Sequence, residues 1–240
     1  MRLRPTALAL LASAIAIAAC GNDEGSGRSF DNKAPNQTHV ALFLNDTFVE
    51  FDTTTTDAEG SNMLKSLVAR GFLVDTFSTT DPAEVAAILG DVDVLILPEP
   101  EIDSYSGLPA GMMAAIKSFV QDGGTLAWFD YADEMNPIFG WELDYGDDTS
   151  YDATILKNGS IAPFTGPDSL PWADATDIIE SSTLPAGSTM IYKAGTDGAV
   201  VVIPVGKGEV VYFGFDWYDA APFGTQDGGW VGLLDGLAKF

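Results

Sequence analysis

The sequence predicts an α/β fold with a mostly parallel central sheet. Short runs of Val, Leu, Ile and Phe alternate with amphipathic stretches of helical period between Val40 and Phe129. The apolar runs are continuous rather than alternating with polar residues, which fits strands covered on both faces. Strand, helix, strand, helix at this pitch builds right-handed crossover units and hence parallel pairing. No longer period recurs, which excludes a solenoid.

Taken in order, "HVALFLN" predicts a strand over Val40–Leu44. "GSNMLKSLVARG" places Met63, Leu64, Leu67 and Val68 at helical spacing, and Gly71 stops the helix. "FLVDTFS" is a second strand. In "DPAEVAAILG", Asp81 is the N-cap, Pro82 occupies the first turn and Gly90 ends the helix. "DVDVLILPEPE" is a strand closed by Pro98, "LPAGMMAAIKSFVQDGG" is a helix closed by glycine, and "TLAWF" is a fourth strand. From Asn136 to Thr189 the chain turns rich in Asp, Gly, Pro and aromatics, too long for a plain connection. It reads as an insertion (136–189) with short strands near Ile155–Leu156 and Ile178–Ile179. Three antiparallel strands follow, Met190–Lys193, Val200–Val205 and Glu209–Phe213, with turns at Thr196-Asp197-Gly198 and Gly206-Lys207-Gly208. A short C-terminal helix then puts Trp230, Leu233, Leu234 and Leu237 on one face.

The first forty residues are of another kind. Arg2 and Arg4 precede an apolar run from Ala7 to Ala19, the pattern of a secretory signal and too short for the roughly 20 residues of a membrane span. The run ends Ile17-Ala18-Ala19-Cys20, which resembles the bacterial lipobox. That resemblance implies cleavage before Cys20 and acylation of the cysteine. Two or three acyl chains anchor a protein stably, whereas one binds only marginally. The polar stretch after Cys20 reads as a flexible tether. The expected organisation is a signal peptide over 1–19, a tether over 20–38 and one domain over 39–240. The expected location is exported and lipid-anchored in the cell envelope. Gly21 after the cysteine favours the outer membrane in an organism that has one.

The formal net charge is −24, with 35 acidic residues against 11 Lys and Arg. Such a surface repels phosphate backbones and anionic lipid, so no nucleic-acid partner is expected and the membrane link is the acyl group on Cys20. It attracts cations, and it is equally the solvated face of a protein adapted to salt. One cysteine permits no intramolecular disulfide.

"DVDVLILPEPE", "AIKSFVQDGGTLAWF" and "GKGEVVYFGFDW" together resemble the class I glutamine amidotransferase-like superfamily, in particular its divergent, trehalose-utilisation-like members. The resemblance covers about Val40 to Phe240 apart from the insertion, and implies a flavodoxin-like three-layer sandwich. Catalytic members carry a cysteine on the sharp turn after the strand that follows the Gly-Gly helix. Here that turn reads Asp130-Tyr131-Ala132-Asp133. Neither the Gly-x-Cys-x-Gly elbow nor its serine variant is present. The family's histidine is expected near Asp216-Trp217-Tyr218, where none occurs. His39, the one histidine, precedes the first strand and is expected to be partly exposed at the opposite edge of the sheet. Nucleophile and base must touch, so no catalytic residue carries over.

Ligands of such sheets bind outside the carboxyl ends of the strands. This chain places Asn45 and Asp46 after the first strand, and Glu99 and Glu101 after the third. Asp130, Tyr131, Asp133 and Glu134 follow the fourth, and Asp216, Trp217, Tyr218 and Asp219 follow the last. The candidate ligand-binding residues are Asp46, Glu99, Glu101, Asp130, Tyr131, Asp133, Asp216 and Trp217. Three readings stay open. The carboxylates are solvated or cap helices; or several converge on Ca²⁺ or Mg²⁺, no other cofactor being implied; or carboxylates and the rings of Tyr131, Trp141, Trp217 and Tyr218 form a groove for a sugar or peptide. "DYGDDTSYD" does not fit an EF-hand loop, lacking its central glycine and terminal glutamate. The expected function is a catalytically silent, membrane-anchored binding domain for a protein, glycan or small ligand. The alternative is a hydrolase of envelope or extracellular carbohydrate acting through a carboxylate pair, Glu99 or Glu101 with Asp130, with or without a divalent metal.

Overall fold

The computed structural model describes residues 37–52, 58–147, 150, 153–158, 164–172, 176–218, 220 and 228–239. The signal segment, Cys20, most of the tether and Asp219 lie outside the described residues. No helix among the described residues is long and apolar enough to cross a membrane.

The chain runs β1 (His39–Phe43), α1 (Glu59–Ala69), β2 (Leu73–Phe77), α2 (Pro82–Leu89), β3 (Val94–Leu97), α3 (Ala110–Asp122), β4 (Thr125–Phe129) and α4 (Asn136–Phe139). It continues with β5 (Ile155–Lys157), β6 (Ser169–Leu170), β7 (Thr189–Ala194), β8 (Asp197–Val205), β9 (Gly208–Phe213) and α5 (Trp230–Leu233). One mixed sheet joins all the strands in the order β2-β1-β3-β4-β9-β8-β7-β5-β6. The pairs from β2 to β9 are parallel, and those from β9 to β6 are antiparallel. Right-handed crossovers place α1 on one face of the parallel part and α2 with α3 on the other.

Local chemistry accounts for the elements. Asp81 accepts from the backbone N–H groups of Ala83 and Glu84 ahead of Pro82, so α2 starts where the cap and the proline agree. Gly123 ends α3 at φ 124°, a conformation that disfavours any side chain. β1, β3 and β4 are buried throughout, as their unbroken apolar runs require. β2 is half-exposed because it forms an edge of the sheet.

Several elements of the structure differ in detail from the sequence reading. Val68 is 57% exposed and lies off the apolar face of α1. The strand expected near Ile155–Leu156 is β5, which pairs with β7 and β6 and extends the sheet. Ile178–Ile179 is not a strand, and Ile179 makes only single bridges to Tyr145 and Gly198. The β7–β8 turn sits at Gly195-Thr196, because Gly195 supplies the positive φ and Asp197 already belongs to β8. The C-terminal helix is one turn of α-helix continued as a 3₁₀ helix to Lys239, though its four apolar residues are buried as expected.

The insertion is tied to the parallel core at Gly214. Asp177 N–H donates to the Gly214 carbonyl at 2.8 Å, and a Cβ on Gly214 would fall 1.8 Å from the Asp177 carbonyl oxygen. Gly214→Ala is therefore expected to cost about 3 kcal/mol. For a chain of this size that lowers Tm by roughly 6–12 °C. A calorimetric Tm within 2 °C of the parent would show that the approach can relax.

Candidate functional site

Because β1, β3, β4 and β9 run parallel, the loops that follow them open on the same edge of the sheet. The structure gathers carboxylates there from different elements. Glu59 begins α1, Glu99 and Glu101 follow β3, Asp130 ends β4, Asp216 follows β9 and Asp177 comes from the insertion. One carboxylate oxygen each from Glu59, Glu99 and Asp216 lies within 4.8 Å of the others. These three residues are only 4%, 6% and 4% exposed, and Asp130 is 2% exposed.

Packing forces the convergence. The first turn of α1 is buried, and a Cβ on Gly60 would approach Leu44 to 2.7 Å and Val49 to 2.8 Å, so only glycine lets the helix start this close to β1. Asn62 then donates to the Trp217 carbonyl at 3.1 Å, and the Trp217 indole N–H donates to Ser66 Oγ at 3.2 Å. This buried clasp between α1 and the segment after β9 brings Glu59 beside Asp216. Asp130 is held differently. Its N–H donates to the Phe213 carbonyl, and its own carbonyl accepts from the Trp128 indole. Its φ is 53° and that of Tyr131 is 26°. Aspartate tolerates this left-handed region better than most residues, tyrosine less well.

The electrostatics follow from burial reinforced by like charges. Burial, then the charges of Glu99, Glu101 and Asp216, push the Glu59 carboxyl well above its ordinary range. Burial and the charge of Asp216 push Glu99 up to about 7, against hydrogen bonds from Glu59 and the Tyr131 hydroxyl. Burial raises Glu101 to about 8 even though its carboxylate accepts from Glu50 N–H at 2.8 Å. Asp130 is raised by burial and by Glu99 and Asp177. Glu59 Oε2, Glu99 Oε2 and Asp130 Oδ1 are buried with no hydrogen-bond partner among the described residues. A carboxylate oxygen left so is costly unless a proton or a cation reaches it.

Of the residues anticipated from the sequence, Glu99, Glu101, Asp130, Tyr131 and Asp216 come together. Asp46 and Asp133 are exposed, and Asp133 accepts from the Tyr145 hydroxyl at 2.9 Å. The Trp217 ring is 1% exposed and packs on Phe129 and Phe215, so it is a core residue beside the site rather than an open platform. Trp141 stacks on Phe139. Tyr131 and Tyr218 remain 37% and 39% exposed. Glu59 and Asp177 were not anticipated. Glu59 could have been read as the residue entering the helix after the first strand, which is where such sheets place ligands. Asp177 sits in unpatterned sequence that carries no such signal.

His39 corrects an expectation. It is 2% exposed, not partly open, and its ring nitrogens contact Asp75 at 2.8 Å and the Asp91 carbonyl at 2.9 Å. It does lie at the N-terminal edge, away from the carboxylates. The open cleft at that end, between the C-terminal ends of α2 and α3, gathers no comparable group, and Asp93 there accepts from His39 N–H.

No family model and no curated protein matches the chain. Solved structures do. The cytoplasmic protein STM1381 of Salmonella typhimurium LT2 is similar over 83% of this chain and 97% of its own, at 11% identity and a TM-score of 0.53. A ThuA-like protein from Bacteroides uniformis is similar over 89% and 92%, at 14% identity and a TM-score of 0.46. A β-galactosidase from Bacillus circulans is similar over 84% of this chain but only 30% of its own, at 14% identity and a TM-score of 0.47. Identities this low speak to the fold alone, and the first of them supports an α/β architecture.

The raised carboxyls give stability a defined pH dependence. Each binds its proton more tightly folded than unfolded, where the ordinary value is 4.5 for glutamate. Their contribution is therefore complete below about 4.5 and is lost as pH rises through 7 to 8. In chelator-treated buffer Tm should fall steadily from pH 5 to pH 8.5. Glu99→Gln should flatten the curve and raise Tm at pH 8 by several degrees. A Tm that is flat or rising over this range, unchanged by Glu99→Gln, would contradict the buried, uncompensated cluster.

Proposed function

We propose that the chain is an exported lipoprotein, anchored through acylated Cys20, whose domain is an amidotransferase-like, flavodoxin-like sandwich that binds a polyhydroxyl ligand such as a glycan at the carboxylate edge. Support for the finer fold reading comes from the order β2-β1-β3-β4-β9, which follows the flavodoxin order. One observation carries the non-catalytic reading. The turn where the resembled family keeps its nucleophile holds Asp130, while the sole histidine is buried against Asp75 at the other edge. The family's dyad has neither of its members here.

The site favours a polyol ligand among the candidates. Carboxyl groups that keep a proton near neutral pH both donate and accept toward hydroxyls. Tyr131 and Tyr218, half-exposed beside Asp130 and Asp216, offer faces for a sugar ring. A second reading, a hydrolase acting through carboxylates, is favoured by the backbone of Asp130. Positive φ at a buried polar residue is strain of the kind that collects at reactive sites.

Two measurements test these readings. Cys20→Ser should move the protein from the membrane fraction to the soluble fraction and remove labelling by a fatty-acid probe; a variant that stays membrane-bound would refute the anchor. Glycan-array binding by that soluble chain should weaken roughly 3- to 10-fold in Tyr131→Ala, with the circular dichroism spectrum unchanged. Absence of any glycan signal, or binding indifferent to Tyr131, would sink the ligand class. Release of product from chromogenic glycosides, abolished by Asp130→Asn, would instead establish the hydrolase.

A further inference from the structure

We infer that Glu59, Glu99 and Asp216 form a binding site for a hard divalent cation of calcium's size. The three carboxylate oxygens lie within 4.8 Å of one another. Two oxygens bound to one calcium ion at 2.3–2.6 Å stand at most about 5 Å apart, whereas opposite ligands of magnesium at 2.0–2.1 Å stand about 4.2 Å apart. The spacing lets the three oxygens share one ion of either kind, and the ligand set favours calcium, because Mg²⁺ is usually held by one or two carboxylates and several waters rather than by three buried protein carboxylates.

Proximity of acids alone would not make a site, since a chain of charge −24 crowds carboxylates on its surface. These are not surface groups. Each of the three is more than nine-tenths buried, and Glu59 Oε2 and Glu99 Oε2 have no hydrogen-bond partner among the described residues. A fourth buried oxygen, Asp130 Oδ1, also lacks a partner and belongs to a residue on which Glu99 and Asp216 act directly. The strongest charges acting on Glu59 and Glu99 are other carboxylates. Oxygens of Glu59 and Glu99 without a hydrogen-bond partner among the described residues, converging with Asp216 in a buried place, are the complement of an ion that takes six to eight oxygen ligands, water included. The Asn62–Trp217 clasp holds two of the three donors in register before any ion arrives.

This inference is independent of the anchor and of the organic ligand. It is tested with the purified, chelator-treated full chain and Ca²⁺ alone. Calorimetric titration should show one saturable site per chain and a raised Tm, with Mg²⁺ at least about tenfold weaker. Glu59→Gln and Glu99→Gln preserve shape and remove buried charge, and each should weaken Ca²⁺ at least about tenfold. Asp46→Asn, exposed and outside the cluster, should leave it unchanged. Terbium provides a readout that does not depend on variants. It should bind with one-to-one stoichiometry, luminesce on excitation of the aromatic residues because Trp217 adjoins Asp216, and be displaced by Ca²⁺. No saturable site up to about 10 mM, Mg²⁺ binding as tight as Ca²⁺, or affinity insensitive to Glu59 and Glu99 would each overturn the assignment.

Discussion

The burial of several carboxyl groups together under the carboxyl edge of the sheet is the constraint around which the site is arranged. The chain contains a control for it. Asp197 is as little exposed to solvent as Asp130, both at 2%, though it lies in a shallower place where burial weighs less. Burial pushes the Asp197 carboxyl up, but donors from Ser181, Ser150, Asp147 and Thr196 outweigh burial and hold it below the usual range. Asp197 is thus a structural anion, fully bonded, that ties the insertion to β8. Glu59, Glu99 and Asp130 face the opposite balance, since burial is reinforced by like charges.

Topology explains how that charge is assembled. Parallel strands end together, so residues more than 150 positions apart, such as Glu59 and Asp216, meet without any local motif. The clasp of Asn62 and Ser66 with Trp217 fixes the pair from below, and Gly60 and Gly214 admit the close approaches on either side. The apolar strands, the buried start of α1 and the aromatic packing of Trp217 are in this sense the support of a polar site.

The same physics decides what the sequence disclosed. Elements governed by local chemistry were readable: the Asp81 cap, the Gly123 stop and the unbroken apolar runs of β1, β3 and β4. Glu99, Glu101, Asp130 and Asp216 were readable because a strand end names its own position on the sheet. Burial was not. Trp217 reads equally as an exposed platform or a core ring, and His39 as a strand-edge residue or a buried one, until the packing partners are known. Glu59 looked like the tail of a loop, and Asp177 reaches the site only through the backbone contact with Gly214, which no periodicity announces.

The turn after β4 separates what belongs to the backbone from what belongs to the side chain. Its conformation, positive φ at both Asp130 and Tyr131, is held by two contacts that involve no catalytic group: Asp130 N–H to Phe213 and the Trp128 indole to the Asp130 carbonyl. The sharp turn therefore depends on backbone and indole contacts rather than on the side chain at its apex. The side chain decides which atom the turn presents. An aspartate oxygen at this point cannot act with a histidine the edge does not have, but it can face a cation or a hydroxyl. The carboxylates that come from α1 and from the segments after β3 and β9 meet at the same buried edge, so the backbone of the turn and the oxygens around it are set by separate contacts.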